Sequence, residues 1–139
     1  MVKVIDMQFI RYINIFNKVT KIEAKHCFKY NNQIIFLVNK SAVSKAIGKD
    51  ADNVRKINKI IGKKIKIISL PNKEEKEVIS FIEKLLNPIE LNKVELKKDI
   101  LSIDASRINK ATLIGRDRLK EKELSKIIKD IFGYELKIG

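Results

Sequence analysis

Apolar and polar positions alternate along this chain with two periods, and the switches between them mark the elements. Ile5, Phe9, Tyr12, Ile13 and Phe16 fall three or four residues apart, which predicts an amphipathic helix over 6–18. Strands are predicted at Ile22–Tyr30 and Gln33–Asn39, with Asn31-Asn32 as the hairpin turn between them. The unbroken apolar run Ile34-Ile35-Phe36-Leu37-Val38 suits a strand covered on one face and flanked by neighbours. A short helix over Ser41–Ile47, a turn at Gly48 and a second helix over Asp52–Ile61 come next, the latter with Val54, Ile57, Ile60 and Ile61 as its core face. Gly62 is placed to end that helix, and Lys64–Leu70 closes the series as a strand.

The same order then starts again. Glu74–Leu86 reads as a helix with an acidic first turn and an apolar stripe of Val78, Phe81, Ile82 and Leu85, stopped by Pro88. Short strands over Val94–Leu96 and Ile100–Asp104 precede a short helix over Arg107–Ile114. A long helix over Leu119–Phe132 has Leu124, Ile127, Ile128 and Ile131 inside, and Tyr134–Ile138 is the last strand. Ile47-Gly48-Lys49-Asp50 returns as Ile114-Gly115-Arg116-Asp117, and Gly62-Lys63-Lys64-Ile65-Lys66-Ile67 as Gly133-Tyr134-Glu135-Leu136-Lys137-Ile138. The spacing between the paired glycines is four residues greater in the second copy, about one helical turn, so a longer helix keeps nearly the same face inward. The chain is therefore expected to hold two domains, 1–70 and 71–139, each α-β-β-α-α-β, with Pro71-Asn72 at the boundary.

Charge changes the picture. The formal net charge is +13, but residues 1–70 carry 15 basic and 4 acidic side chains while residues 71–139 carry 15 and 13. Polyanions are the partners such an excess attracts, and the first half is the better candidate for contacting phosphate. Some of the excess reflects composition alone, since 25 lysines against 5 arginines, with 25 isoleucines, looks like the codon usage of an AT-rich genome. No apolar run approaches the ~20 residues that span a bilayer, and residues 1–20 do not read as a secretory signal, so a cytoplasmic protein with no membrane partner is expected. Cys27 and His26 are the single cysteine and histidine, which excludes an internal disulfide and a cysteine-rich zinc site. Cys27 is read as a small buried hydrophobe. No Walker loop, metal-ligand cluster or nucleophile beside a base is present, so an enzyme is not expected, nor any cofactor or metal.

The repeated glycine turns carry the candidate chemistry. A glycine lets the backbone approach a ligand closely, and the helix that opens after it offers unpaired N–H groups and a positive dipole end. Gly48 with Lys49, and Gly115 with Arg116, are thus candidate phosphate contacts. The plainer reading is that both glycines only form tight helix–helix turns with the neighbouring cations in solvent; its recurrence in one fold context argues against that reading.

With these residues in place a family resemblance can be stated. The α-β-β-α-α-β order with a glycine loop between two helices resembles the type II KH domain, whose GXXG loop clamps nucleic-acid backbone. Lys45-Ala46-Ile47-Gly48-Lys49-Asp50-Ala51-Asp52-Asn53-Val54 is similar to the loop region of NusA-like proteins, as is Arg11-Tyr12-Ile13 with Phe16, Thr20, Ala24 and Cys27. Two KH units and nothing more resembles the short archaeal NusA family, strongly over 1–70 and more weakly over 71–139. The resemblance implies an α+β fold of two tandem type II KH domains, each a three-stranded sheet covered by helices. It also implies binding of single-stranded RNA in transcription elongation or termination. Carried onto this chain, the RNA-binding residues are Lys45, Ile47, Gly48, Lys49, Asp50, Ala51, Asn53 and Lys56 in the first copy. In the second they are Ile114, Gly115, Arg116, Asp117 and Arg118. Val54 and Ile67 would join Ile47 as groove walls through an exposed edge only, since the plainer reading of each is a core residue, and Lys59 would add charge.

Both loops depart from GXXG. The fourth position is Ala51 in one and Arg118 in the other, tolerable at negative φ but costing roughly 1 kcal/mol or more in a left-handed conformation. Asp50 and Asp117 place a carboxylate where phosphate should approach, and Leu119-Lys120-Glu121-Lys122-Glu123 lacks the apolar residue expected after the second loop. Few aromatics accompany either loop, so base stacking should contribute little. The alternative is a KH-fold interaction module that docks on RNA polymerase or a transcription complex with little direct RNA contact. A DNA-binding helix-turn-helix over Ser41–Ile61 fits less well, because of the strand that follows and the duplicated strand pairs. A monomer is expected.

Overall fold

The computed structural model describes residues 7–139, so Ile5 and the start of the first expected helix lie outside the described residues. The described chain forms two compact units that meet at Leu70 and Pro71.

In the first unit, helix α1 (Met7–Thr20) precedes strands β1 (His26–Tyr30) and β2 (Gln33–Val38). A 3-10 turn at Lys40–Ala42 leads into the short helix α2 (Val43–Ile47), then the loop, helix α3 (Asp52–Ile61) and strand β3 (Ile65–Ser69). The second unit repeats the series as α4 (Glu75–Leu86), β4 (Lys93–Lys97), β5 (Ile100–Asp104), α5 (Arg107–Ile114), α6 (Leu119–Phe132) and β6 (Glu135–Ile138).

Each unit has one three-stranded sheet, β1-β2-β3 and β4-β5-β6. The first two strands pair antiparallel and the third joins parallel to the second. Registers correspond as well: His26 faces Leu37 as Lys93 faces Asp104, and Ile34 faces Ile65 as Leu101 faces Leu136. The four residues added between the second pair of glycines lie in α6, 14 residues against 10 in α3, so the sheets match despite the insertion. The chain is thus α+β, with two three-stranded sheets and accompanying helices.

The core of the first unit is built from α1, β2, α2, α3 and β3. Tyr12, Phe16, Ile34, Phe36, Val38, Ala46, Ile57 and Ile65 are buried together, and the Phe16 and Phe36 rings stack with centroids 4.5 Å apart. Ile35 and Leu37, of opposite pleat to that set, are buried too, so β2 is covered on both faces rather than the expected one. In the second unit Val78, Phe81, Ile82, Leu85, Leu101, Leu113, Leu124 and Ile128 are buried, and Phe81 meets Phe132 edge to face at 5.8 Å.

Three local features differ from the sequence reading. Strand β1 starts at His26, not Ile22, because side chains take the preceding amides: Thr20 Oγ1 accepts from the Ile22 N–H at 3.1 Å and Asn17 Oδ1 from that of Ala24 at 3.2 Å. Backbone donors satisfied this way cannot enter a ladder. Ile60 is 52% exposed and does not belong to the core face of α3. At 100° per residue it lies on the flank of the stripe that Val54, Ile57 and Ile61 define. The hairpin turns use left-handed pairs, Asn31-Asn32 as expected from their side chains and Lys98-Asp99 in the second unit, where no such signal was read.

Candidate nucleic-acid interface

The two glycine loops share one backbone conformation. Gly48 ends α2 at φ 83, ψ 170, and Gly115 ends α5 at φ 74, ψ 175, a region that essentially only glycine enters. Space gives a second reason for glycine. A Cβ on Gly48 would stand 3.0 Å from Asn53 Cγ, and one on Gly115 would stand 2.9 Å from Lys120 Cγ. Asn53 lies beneath the first loop with its Nδ2 donating to the Lys45 carbonyl at 3.4 Å, one of the carbonyls left open where α2 ends.

Two consecutive left-handed residues follow in each loop. Asp50 (φ 52, ψ 35) and Ala51 (φ 58, ψ 30) match Asp117 (φ 54, ψ 26) and Arg118 (φ 60, ψ 22). Aspartate tolerates this region; alanine and arginine pay for it with Cβ crowding. The loop closes when the Ala51 N–H donates to the Gly48 carbonyl at 3.2 Å, as that of Arg118 does to Gly115 at 3.2 Å. The Asp52 N–H donates to the Lys49 carbonyl. Lys49 and Asp50 thus lie in a 3-10 turn between Gly48 and the first residue of α3.

Around the first loop the cations stand outward. Lys45, Lys49, Lys56 and Lys59 are exposed, as is Asp50. Gly48, Ala51 and Asn53 are half-buried. Of the apolar wall candidates, Val54 and Ile67 are half-buried against the edge of the core, and Ile47 is half-buried beside the glycine. Lys56 is shared with Asp52, Nζ to Oδ2 3.1 Å, so part of its charge is held locally.

Arg55 was missed in the sequence reading and belongs to this site. Its Nη1 donates to the Asp50 carbonyl and its Nη2 lies 3.7 Å from Asp52 Oδ1, so the guanidinium fastens the left-handed corner to the first turn of α3. The available signal was its place three residues after Asp52 on a predicted helix, a spacing that brings opposite charges together.

The second loop is differently occupied. Ile114 is half-buried, and Arg116, Asp117 and Arg118 are exposed. Arg118 Nε meets Glu121 Oε1 at 2.6 Å, and this bond with its attraction raises the guanidinium pKa further. The Glu121 side chain is only 20% exposed. A groove of about 610 Å³ between α6 and β6 begins at Arg118 and Glu121 and runs past Lys129 to Glu135, which pair at 2.9 Å.

Elsewhere, burial pushes the Cys27 thiol up to about 12, so this half-buried side chain is held protonated. Among the described residues no three His, Cys, Asp or Glu side chains come together as a metal site. No described helix is long and apolar enough to cross a membrane.

An α+β unit with a three-stranded sheet and a glycine loop between its last two helices is consistent with KH-like folds. Similarity to known proteins narrows this. The chain is 30% identical over 94 residues to the probable transcription termination protein NusA of Methanococcus vannielii, an alignment covering 68% of this chain and 52% of that protein. It is 30% identical over 86 residues to the protein of the same description from Methanocaldococcus jannaschii, covering 62% and 45%. The chain thus has NusA-like relatives, of whose length the matched part spans about half. No protein-family model matches it. Among solved structures, the crystal structure of APE1850 superposes with a TM-score of 0.63 at 22% identity, covering 97% of this chain and all of that one, a likeness of fold.

Proposed function

We propose that this chain consists of two tandem type II KH domains and binds single-stranded RNA through the first glycine loop, as a transcription elongation or termination factor resembling NusA. The observation that carries this reading is the corner at Gly48. Glycine-only geometry turns the chain from α2 into the 3-10 turn ahead of α3, where the amides of Lys49 and Asp50 would receive a phosphate, and Lys45, Lys49 and Arg55 stand exposed around them. A phosphate there would meet N–H donors and exposed cations together, just ahead of the N-terminus of α3. Val54, Ile67 and Ile47 would offer exposed edges to bases. The NusA-like relatives support a role connected with transcription. Such a protein acts by binding and not by catalysis, in the cytoplasm, as a monomer.

Fluorescence anisotropy with a labelled single-stranded RNA of about ten nucleotides tests the reading. Micromolar binding is expected, weakened at least tenfold by Lys49→Glu with Arg55→Glu, and stronger for single-stranded RNA than for duplex DNA. An unaltered chain that shows no binding at low salt would overturn it.

One observation favours a second reading, a KH-fold module that docks on RNA polymerase with little RNA contact. Asp50 and Asp52 put two carboxylates beside the amides, and Asp52 already holds Arg55 and Lys56. Partners recovered from a cell extract that persist after nuclease treatment would favour it.

A further inference from the structure

The two units share element order, strand registers and loop dihedrals, so their grooves can be compared position by position. Counting from the shared glycines, Val54 corresponds to Glu121 and Lys56 to Glu123; on the last strands Lys64 corresponds to Glu135. One apolar and two cationic side chains in the first unit thus become three carboxylates in the second. The exchanges at Glu121 and Glu135 fall on the groove between α6 and β6 that begins at the second loop, whereas Glu123 stands on α6 outside that lining and acts only through the charge it adds nearby.

The structure shows how two of the carboxylates act. Glu121 occupies the position where Val54 lies against the core edge, and from that sheltered place it holds Arg118 at 2.6 Å. Glu135 on β6 reaches Lys129 on α6 at 2.9 Å, so an ion pair crosses the groove from helix to strand. Arg118 and Lys129 are thus answered from within, and with Lys122 and Lys126 set against Asp130 the four cations and three carboxylates that line this groove leave it only one net positive charge. In the first unit Lys64 is exposed immediately before β3.

Resting on the reading of function above, we propose that Glu121, Glu123 and Glu135 are specificity determinants that exclude nucleic-acid backbone from the second groove, so that the chain binds one RNA segment, on its first unit. The second glycine loop keeps the shape of a phosphate clamp with a weakened field.

The test is a transplant in the full chain. Glu121→Val, Glu123→Lys and Glu135→Lys give the second groove the first groove's residues, and binding of a labelled single-stranded RNA of about ten nucleotides is followed by anisotropy and by stoichiometric titration. The unaltered chain is expected to bind one equivalent and the triple variant two. In a chain whose first loop is disabled by Lys49→Glu and Arg55→Glu, the three substitutions should restore at least tenfold in affinity. An unaltered chain that binds two equivalents would overturn the inference while leaving RNA binding intact. So would a triple variant, folded by its circular dichroism and urea midpoint, that gains nothing. Should the triple substitution unfold the second unit, Glu135→Lys alone, at an exposed position, carries the test through a gain of threefold or more in the disabled background, and no gain there overturns the inference. An unaltered chain that binds no RNA refutes the reading of function itself, a separate outcome.

Discussion

Replacing Ala51 with glycine perturbs one Cβ and tests the loop directly. Ala51 sits at φ 58, ψ 30, where an L-residue with a Cβ is disfavoured by roughly 1–2 kcal/mol. Glycine removes that crowding but gives the unfolded chain more freedom, which offsets about 0.4–1 kcal/mol. A net gain in folding stability of about 0.5–1 kcal/mol follows, readable as a higher urea midpoint with unchanged slope. Affinity has a separate origin, because the strained backbone is present with and without ligand. What binding gains is access, since no methyl group then stands beside the amides of Lys49 and Asp50. A tightening of about twofold, equivalent to roughly 0.4 kcal/mol, is expected in an anisotropy titration with single-stranded RNA. Ala51→Val is the counter-test, because a β-branched residue at positive φ should cost a further ~1–3 kcal/mol. Glycine that destabilises the protein would refute the conformational account. A more stable protein whose RNA affinity is unchanged or lower would show that phosphate does not enter at this corner.

Other outcomes follow from the same geometry. Gly48→Ala, forced into a glycine-only region with its Cβ 3.0 Å from Asn53, should lose ~1–3 kcal/mol in urea unfolding and weaken RNA binding. Phe36→Ala removes a fully buried ring that stacks on Phe16 and should cost ~3–5 kcal/mol, seen as loss of the first unit's amide protection in hydrogen exchange. With about four phosphates clamped, the apparent association constant should fall with a log–log salt slope of about −3, some 50-fold between 50 and 200 mM; a flat titration would contradict an electrostatic clamp. Cys27, with its pKa raised to about 12 by burial, should react with a thiol reagent at pH 8 orders of magnitude more slowly in the folded protein than in urea, and faster as pH rises towards that value.

Much of the architecture was legible because its causes are local. Helical spacing in Phe9, Tyr12, Ile13 and Phe16, the apolar run at 34–38 and the repeated Ile-Gly-basic-Asp turn each depend on neighbours within a few residues. Hence α3, β5, α5 and α6 fall where the pattern puts them. The start of β1 was not legible in this way, since it depends on side chains of α1 taking the amides that would otherwise extend the strand.

The sequence by itself determined that a glycine would stand between two helices, twice, with a cation after it and a residue other than glycine in the fourth place. Only the tertiary structure decided what that fourth place requires. Closing the turn onto the Gly48 and Gly115 carbonyls forces Ala51 and Arg118 left-handed, a demand set by where α2 and α5 end and where α3 and α6 must begin. It also decided which charges are already spoken for, placing Arg55 on the Asp50 carbonyl and Arg118 on Glu121. Periodicity is written residue by residue, whereas loop conformation and charge pairing depend on packed neighbours whose distances no spacing rule supplies.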